Sequence, residues 1–390
     1  MDTVRIGLIG YGGMGRGHAA YLSKGEVPGA SLAAISDPFD SSLEAARHNH
    51  GDSARYFSDA KKMMKSGEVD AILIATPHYE HPALAIAGFE SGLHVLTEKP
   101  AGVYTRQVRE MNEAAQASGK TFGIMFNQRT RPHHRKMKQL VESGQLGEIQ
   151  RIQYVITDWF RTQAYYNSGG WRATWKGEGG GVLINQCPHN LDLWQWISGM
   201  MPSRIRAFCG FGKYHDIEVE DSVTAYAEYE NGATATFIAS TGEAPGNNSF
   251  EIVGDRGRLV LERKKGGGEG LTWYQTQGSV REFLQTARGG FEQPEVWTVE
   301  IPGGSSPEHK AITINFVQAI RGEAALIAPG EEGIKGLTLS NAMHLSSWTD
   351  DWVSLPIDEA KYLRELNKRI KSSTAQKKVQ GKALEFGGTF

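Results

Sequence analysis

Hydrophobic runs of strand length alternate with amphipathic stretches of helical length through the first third of the chain. The predicted strands cover residues 4–9, 31–36, 55–57, 69–75, 94–97 and 121–126. The predicted helices include residues 14–24, 40–49, 78–91 and 104–118. Two of these helices stop at Gly92 and Gly119, as helix C-termini commonly do. This alternation predicts an N-terminal α/β domain over residues 1–126, with a doubly wound parallel sheet of the Rossmann type.

In the first domain the predicted strands are continuous apolar runs. Beyond residue 148 hydrophobic and polar residues instead alternate with a period of two residues. The alternating strands are predicted at residues 148–158, 203–211, 222–229, 233–239, 250–253 and 258–262. Helical segments are predicted at residues 182–198, 308–321 and 331–346. Residues 127–356 should therefore form an α+β domain with a large, mostly antiparallel open sheet. Residues 357–390 should form a C-terminal helix, over 358–371, followed by a tail.

The charge balance excludes partners that require a strong overall field. Lys and Arg number 42 against 44 Asp and Glu, which leaves a net charge of −2. We therefore expect neither a nucleic acid nor a membrane surface as a partner. No apolar run approaches the ~18 residues of a membrane span, and the first strand begins by Val4, which leaves no room for a signal peptide. The expected location is the cytoplasm.

Disulfide and metal chemistry are not indicated by the sequence. The two cysteines, Cys187 and Cys209, form neither a disulfide framework nor a zinc-type pair. His78 and His81 could in principle ligate a metal, but their place after a strand of the first domain favours a role in a cofactor-binding loop. No metal site is predicted.

Glycine is abundant, at 47 residues, and one cluster directly follows the first strand. Its members are Gly10, Gly12, Gly13, Met14 and Gly15. A Gly-x-Gly-x-x-Gly turn between a strand and a helix permits close approach of a pyrophosphate to the helix N-terminus. Asp37, at the end of the second strand, is expected to accept hydrogen bonds from the adenosine ribose. Because no arginine follows Asp37 to neutralise a 2′-phosphate, NAD is favoured over NADP as the cofactor.

Lys99 lies in a Thr-Glu-Lys-Pro sequence at the end of the fifth predicted strand. Ligands of open α/β sheets bind at the carboxyl ends of the strands, so the side chain is expected to point into the binding crevice. A lysine beside a positively charged nicotinamide has a lowered pKa and can exchange a proton with a substrate hydroxyl. A surface lysine at a strand end is the alternative.

A glycine run at 179–181 leads into a predicted helix that carries Asn185, His189 and Asp192 on one face. Pro188 is tolerated only near a helix start or at a kink, which puts His189 near the N-terminal end. Histidine is a natural base for taking an alcohol proton at physiological pH. Asn185 is expected to bond a substrate hydroxyl or His189, although it could merely cap the helix. A core histidine satisfied by Asp192 is the other interpretation.

The substrate is expected between the two domains, beside an aromatic segment at 159–175. Aromatic faces stack on the C–H face of a pyranose, and arginine or asparagine donors fix its hydroxyls. Tyr165, Arg172 and Trp175 are the candidates from this segment. Residues that follow the sixth strand are further pocket candidates: Asn127, Arg129 and His133. The alternative is that the aromatic residues fill the core or a subunit interface.

These features together resemble the Gfo/Idh/MocA oxidoreductases, named for glucose–fructose oxidoreductase and inositol dehydrogenase. The similarity extends over nearly the whole chain and rests on Gly10–Gly15, Ala75-Thr76-Pro77 with His81, Glu98-Lys99-Pro100 and the glycine run with His189 and Asp192. It implies a dinucleotide-binding N-terminal domain, a C-terminal sheet that commonly forms subunit interfaces, and hydride transfer on sugars or cyclic polyols.

The resemblance also implies roles for individual residues. Lys99 and His189 match the catalytic lysine and histidine of the family. Four residues match positions that contact the nicotinamide half of the cofactor: Thr76, Pro77, His81 and Glu98. Inositol-dehydrogenase-like members have aspartate where this chain has Asn185, and a neutral amide cannot stabilise an imidazolium as a carboxylate does.

The leading functional hypothesis is an NAD-linked dehydrogenase of a secondary hydroxyl of a sugar, glycoside or cyclic polyol. Two alternatives are an NAD-dependent glycosidase or lyase working through a transient ketone, and a non-catalytic NAD-binding regulator that senses sugars. Retention of both Lys99 and His189 argues against the regulator. The chain has too few helices to cover both faces of the second sheet, so a homo-oligomer, most simply a tetramer, is also expected.

Overall fold

A parallel sheet with helices on both faces forms the N-terminal domain of the computed structural model, which describes residues 3–264 and 268–373. Its strands are β1 (Val4–Ile9), β2 (Ala30–Ser36), β3 (Arg55–Phe57), β4 (Ala71–Ile74), β5 (His94–Thr97) and β6 (Phe122–Ile124). Its helices are α1 (Gly13–Ser23), α2 (Asp40–His50), α3 (Ala60–Met64), α4 (Glu80–Glu90) and α5 (Thr105–Ser118). The strand order β3-β2-β1-β4-β5-β6 confirms the predicted doubly wound sheet.

The order of these strands decides where a ligand can bind. The strand β1 pairs with β2 on one side and with β4 on the other, both in parallel. The connections that leave the carboxyl end of β1 and of β4 therefore run in opposite directions. A crevice opens at such a switch point, beyond the carboxyl ends of the strands.

The remaining described residues form a second, mixed sheet with helices on one face. The strands are β7 (Ile149–Ile156), β8 (Arg204–Phe211), β9 (Glu220–Glu228), β10 (Thr234–Ser240), β11 (Asn248–Gly254), β12 (Gly257–Arg263), β13 (Glu269–Thr276), β14 (Val296–Ile301) and β15 (Val353–Ser354). The helices are α6 (Pro132–Glu142), α7 (Gln163–Asn167), α8 (Pro188–Ser198), α9 (Val280–Thr286), α10 (His309–Ile320), α11 (Gly333–Thr349) and α12 (Glu359–Ser372). The strand order is β14-β13-β12-β11-β7-β10-β9-β8-β15.

The predicted antiparallel sheet is confirmed, with one exception at its centre. The strand β10 pairs in parallel with β7, whereas the other pairings of this sheet are antiparallel. The sheet also continues through β13 and β14, which the hydrophobic pattern did not predict. The side chains of β14 are largely exposed on both faces, so this edge strand carries no alternating apolar signal.

The helix predicted over 182–198 is wrong at its start, because α8 begins only at Pro188. The preceding residues form a turn in which the buried carboxylate of Glu220 accepts hydrogen bonds from the backbone N–H groups of Gly181 and Leu183, at 2.9 and 3.0 Å. These bonds hold the amides in a turn. Asn185 consequently lies before the helix, and the shared helical face predicted for Asn185, His189 and Asp192 does not exist.

The helix α10 packs against the N-terminal domain, and the helix α12 packs against the second domain. The apolar side chains Ile312, Phe316 and Val317 of α10 belong to the core of the N-terminal domain, although the helix follows the second sheet in sequence. The predicted C-terminal helix is confirmed as α12, and its Tyr362 and Leu366 are fully buried in the second core. The predicted tail falls on residues 374–390, outside the described residues.

Candidate active site

The glycine turn after β1 has the geometry that a pyrophosphate needs. Gly10 has φ +93°, and a Cβ there would lie 2.6 Å from the carbonyl oxygen of Ala75. A Cβ on Gly15 would collide with the carbonyl oxygen of Gly10, whereas the space beside Gly12 is open. The helix α1 begins at Gly13 with neither a side-chain cap nor an acidic residue in its first turn. Its first N–H groups are thus available to an anion, with Gly12, Gly13 and Met14 at least partly exposed beside them.

Asp37 follows β2 at the neighbouring strand end and is 6% exposed. Its carboxylate accepts hydrogen bonds from the backbone N–H groups of Tyr11 at 2.8 Å and Phe39 at 3.0 Å. These bonds fix the carboxylate beside the glycine turn. Each carboxylate oxygen retains a further lone pair for a ribose hydroxyl.

The loop after β4 forms the adjoining wall of the crevice. Thr76 and Pro77 are partly exposed, and the buried ring of His78 makes an edge contact with Trp171, with centroids 5.4 Å apart. His81 is fully buried, and its two ring nitrogens lie 2.8 Å from the carbonyl oxygens of Pro100 and Thr76. His81 therefore supports this loop from behind. Burial lowers the pKa of both histidines.

Glu98 joins the glycine-turn helix to the end of β5. Its Oε1 lies 2.7 Å from Nε2 of His18 on α1, and its Oε2 accepts a hydrogen bond from the backbone N–H of Lys99 at 3.1 Å. Burial by itself raises the pKa of Glu98. The hydrogen bond from His18 and the neighbouring cationic groups outweigh burial and hold that pKa at about 2. Glu98 is thus an ionised anchor that fixes the backbone carrying Lys99.

Lys99 reaches from β5 to the turn before α8. Its Nζ donates a hydrogen bond to the backbone carbonyl of Asn185 at 3.1 Å. Burial lowers the pKa of the ammonium, and the guanidinium groups of Arg172 and Arg161 lower it further, while Glu98 and Glu178 oppose the change. A buried lysine whose pKa is lowered in this way releases a proton more readily than an exposed one.

His189 is the second residue of α8 and is 8% exposed. Burial lowers the pKa of the imidazole well below its usual value, and the charges of Lys99 and His309 add to this effect. Its Nδ1 is buried and has no hydrogen-bond partner in the described part of the chain. That leaves Nε2 as the nitrogen able to face a ligand. A neutral imidazole beside a lysine is a suitable proton acceptor.

Asn185 and Asp192 do not contact His189 in the way the sequence suggested. The side-chain amide of Asn185 donates to the Oε1 of Glu178. Asp192 accepts hydrogen bonds from Nη2 and Nε of Arg129, at 2.6 and 2.8 Å. The expected Asn185–His189 hydrogen bond is therefore absent, and the interpretation of His189 as a core residue satisfied by Asp192 is wrong.

Two of the predicted substrate residues lie away from the crevice. Arg129 is fully buried and paired with Asp192 and Glu332, so it joins α8 to the segment before α11. Trp175 is 5% exposed, and its indole N–H donates to the carbonyl of Glu218 at 3.0 Å. Its ring packs against the buried histidine and tryptophan of α11. Both residues serve the core, because their polar groups are already satisfied within it.

Tyr165 and Arg172 do reach the site. The guanidinium of Arg172 donates to the hydroxyl of Tyr165 at 2.9 Å and lies 4.6 Å from the centre of the Trp171 ring. Gln186 also donates to the Tyr165 hydroxyl, at 3.2 Å. Because Trp171 contacts His78, this polar and aromatic wall adjoins the cofactor loop.

The segment after β6 contributes one further candidate. Asn127 donates from Nδ2 to Glu308 at 2.6 Å, and its buried Oδ1 has no partner among residues 3–264 and 268–373. An unpartnered buried acceptor is a plausible contact for a cofactor amide. His133 is buried instead against Gly303, where a Cβ would lie 2.9 Å from the imidazole, so it packs beneath this loop.

The sequence interpretation missed two titratable groups of the site. Glu178 immediately precedes the glycine run, and its place there was the only signal that could have identified it. His309 begins α10, with its ring centre 5.9 Å from that of His18. Nothing local in the sequence connects His309 to this site, because only the packing of α10 on the first domain brings it there.

Metal and membrane features were also sought in the described residues. Within residues 3–264 and 268–373, no three His, Cys, Asp or Glu side chains are grouped to hold a metal ion. Among the helices described, none has the length and apolar character needed to cross a membrane.

Comparison with known proteins gives matches to both domains. The model of the oxidoreductase family with an NAD-binding Rossmann fold matches residues 4–126, and the model of the GFO/IDH/MocA C-terminal domain matches residues 134–260. The rhizopine catabolism protein MocA of Rhizobium meliloti is 27% identical over 299 residues, which cover 74% of this chain and 88% of MocA.

Two further relatives cover nearly the whole chain. Levoglucosan dehydrogenase of Pseudarthrobacter phenanthrenivorans is 25% identical over 397 residues, covering 91% of this chain and 99% of that protein. The crystal structure of the WlbA dehydrogenase from Bordetella pertussis in complex with NADH and UDP-GlcNAcA aligns with a TM-score of 0.75 at 25% identity. That alignment covers 91% of this chain and 100% of the WlbA chain.

Proposed function

This chain belongs to the Gfo/Idh/MocA family of NAD-binding oxidoreductases, and we propose on that basis that it oxidises a secondary hydroxyl of a sugar, glycoside or cyclic polyol. Its relatives include dehydrogenases named for levoglucosan and inositol. The observation that carries this proposal is that Lys99, from one domain, donates a hydrogen bond at 3.1 Å to the carbonyl of Asn185, in the turn that leads into α8 and its second residue, His189, from the other domain. This pair adjoins the crevice that fits a dinucleotide.

NAD is the proposed cofactor, in preference to NADP. The uncapped first turn of α1 would hold the pyrophosphate, and Asp37 would bind the adenosine ribose. A carboxylate in that place repels a 2′-phosphate. The double variant Asp37→Ser/Pro38→Arg should therefore move the preference towards NADP, measured as the ratio of the two dissociation constants. A wild-type protein that binds NADP as tightly as NAD would contradict the proposal.

Bound NAD supplies the hydride acceptor for the reaction. His189 takes the proton of the substrate hydroxyl at Nε2, because its imidazole is held neutral by burial. Lys99 donates a hydrogen bond from Nζ to the same oxygen and stabilises the negative charge that develops there. One Nζ proton is held by the Asn185 carbonyl, which leaves the others for the substrate. Tyr165 and Arg172 bind the remaining hydroxyls from the side of the aromatic wall.

The test begins with the purified protein, which is denatured so that any released dinucleotide can be identified. Sugars, glycosides and cyclitols are then screened with NAD for absorbance at the NADH band. Accumulation of NADH supports a dehydrogenase. Cleavage of a glycoside without accumulation of NADH would favour the transient-oxidation alternative and contradict the proposed net reaction.

The proposal also includes assembly and location. A homo-oligomer, most simply a tetramer, would cover the open face of the second sheet, where Phe208 is 61% and Tyr226 is 39% exposed. Cytoplasmic location stays a prediction.

A further inference from the structure

Glu178 is a buried carboxylate inside the candidate site to which the dehydrogenase mechanism above gives no role. It is 2% exposed and lies between the aromatic wall and the glycine run. Its Oε2 accepts a hydrogen bond from the backbone N–H of Ala173 at 2.5 Å, and its Oε1 accepts one from the Asn185 amide. Its own carbonyl oxygen lies 3.3 Å from Nδ1 of His78. Glu178 therefore contacts three segments that line the site.

The contact with Asn185 connects Glu178 to Lys99. The backbone carbonyl of Asn185 accepts the hydrogen bond from the Lys99 ammonium, while the side-chain amide of the same residue donates to Glu178. Fixing the amide fixes the residue, and with it the carbonyl that orients the ammonium. We propose that Glu178 is a positioning residue that, through Asn185, orients Lys99 and adds negative charge beside its ammonium group.

Glu98 and Glu178 both act on Lys99, but of these two carboxylates it is Glu178 that is bound to the residue accepting the hydrogen bond of the lysine. Glu98 is bound to His18, Asp192 is bound to Arg129, and Glu220 holds backbone amides of the glycine run. A buried ammonium without a nearby anion loses its proton readily. The carboxyl group of Glu178 acts on Lys99 and is bound to Asn185, the residue that accepts the hydrogen bond of the lysine.

The charges facing this pair come from several elements. The groups acting on Lys99 are Glu98, Arg172, Glu178 and Arg161, and those acting on Glu178 include Arg172 and Glu220. His78 and His189 face Lys99 as well and are kept neutral by burial. Burial, with a further contribution from Glu220, raises the pKa of Glu178 above its usual value, and Arg172, the Ala173 amide and Asn185 offset this rise only in part. Loss of the Glu178 charge would leave Arg172 and Arg161 opposed by Glu98 alone.

This inference rests on the proposed function only for the identity of the reaction, and its first test requires no substrate. The intact protein is labelled with trace acetic anhydride over a range of pH, and the fraction of Lys99 acetylated is measured by mass spectrometry. The midpoint of this curve reports the Lys99 pKa. Glu178→Gln should lower the midpoint by about one unit, a typical effect of losing one nearby opposite charge. The midpoint in Glu178→Asp should stay near the wild-type value. Glu262 is an exposed residue near the end of β12, and Glu262→Gln should leave the Lys99 midpoint unchanged.

Relocation of the carboxylate gives a second measurement that does not depend on the folding of one variant. Asn185→Asp alone should raise the Lys99 midpoint, and the double variant Glu178→Gln/Asn185→Asp should return it to near the wild-type value. Equal midpoints in Asn185→Asp and in the double variant would mean that Glu178 contributes no charge to Lys99. That result, or an unchanged midpoint in folded Glu178→Gln, overturns the proposal.

The pH dependence of turnover distinguishes the proposed role of Glu178 from a merely structural one. Once a substrate is identified, the falling limb of kcat/KM against pH should move to lower pH in Glu178→Gln, with NAD affinity unchanged. Recovery of the limb in the double variant supports the proposal, and an unmoved limb contradicts it. A protein that shows the labelling shifts but oxidises no sugar or polyol would contradict the proposed function while leaving the role of Glu178 intact.

Discussion

The pKa values of individual residues at this site depend strongly on their burial and on their partners. On a protein surface, histidine and lysine side chains keep their usual pKa values. Here desolvation lowers the pKa values of both His189 and Lys99. Desolvation disfavours the charged form of each group, which makes the imidazole a better proton acceptor and the ammonium a readier proton donor. Glu98 shows the opposite result, since a partner at 2.7 Å keeps it ionised despite its burial.

Removing either proposed proton-handling group should reduce turnover far more than cofactor binding. Groups that transfer protons in a transition state typically contribute about 10²–10⁴ in rate. Lys99→Ala and His189→Ala should each lose activity on that order, while NAD affinity, measured by fluorescence titration, changes little. His48→Ala, on the exposed face of α2, is the matched control and should retain full activity. Turnover near the wild-type value in either site variant would exclude the role given to that residue.

The pH profile should carry the signature of a buried histidine. Because burial lowers the pKa of His189 from its usual 6.5, the neutral base persists above that lowered value and is lost only as pH falls through it. The rising limb of kcat/KM should thus lie below pH 6.5 and disappear in His189→Ala. Measurement between about pH 4 and 9 covers the range in which histidine and carboxyl groups titrate. A limb at or above 6.5 would show that the imidazole is not desolvated in the working enzyme.

At the scale of elements, the site depends on how α8 is held. The helix presents His189 at its start, and its Asp192 is bound by Arg129 from the short helical turn after β6. Arg129 also contacts Glu332 at 2.5 Å, so one guanidinium connects three segments. Arg129, predicted as a substrate contact, thus forms a structural ion pair that aligns the helix carrying His189, the proposed base.

Breaking this ion pair should destabilise the protein strongly. Arg129→Met leaves buried Asp192 without its cationic partner, with only the hydrogen bond from Gln195 remaining, and loss of one member of a buried pair typically costs about 3–5 kcal/mol. Arg106→Met removes an exposed pair with Glu110 and should cost no more than about 1 kcal/mol. Thermal unfolding midpoints of the two variants test this difference. Similar midpoints for both would show that the Arg129 network contributes little to stability.

At the scale of the whole molecule, the second sheet leaves one face without helices. Along β8 the side chains alternate between more buried and more exposed positions. Phe208 on β8 and Tyr226 on the neighbouring strand β9 lie on the exposed face. Large apolar side chains clustered on one face commonly mark an association surface. The other face packs against α11, whose buried residues join the second core.

A charge on this face should disrupt assembly. Phe208→Glu should lower the molar mass measured by light scattering at micromolar concentration, because the carboxylate would have to be buried between subunits. Phe291→Glu is a matched control, since Phe291 is 99% exposed in a loop after α9. Its mass should equal that of the wild type. A monomeric wild type, or an unchanged mass for Phe208→Glu, would contradict association through the sheet.

The sequence by itself determined the parallel sheet, the glycine turn with Asp37, and the positions of Lys99 and His189. Each of these depends on a local pattern, namely an apolar run, a turn residue or a strand end, and local patterns are readable in order along the chain. The outer strand β14 was missed because its side chains are too exposed to alternate, whereas β13 was missed although its Leu271 and Trp273 are buried. The start of α8 was placed too early because a distant carboxylate, Glu220, holds the preceding turn.

Only the tertiary structure decided which polar groups meet. Arg129 and Trp175 have residue types that suit a sugar site, yet both are satisfied inside the core by partners far away in sequence. Glu178 and His309 lacked a strong local signal and were brought to the site by packing. Hydrogen-bond partners depend on three-dimensional distance, and the free energy of burying a charge depends on those partners. The candidate base, His189, could be proposed from the sequence, whereas the groups that surround it and hold its helix could not.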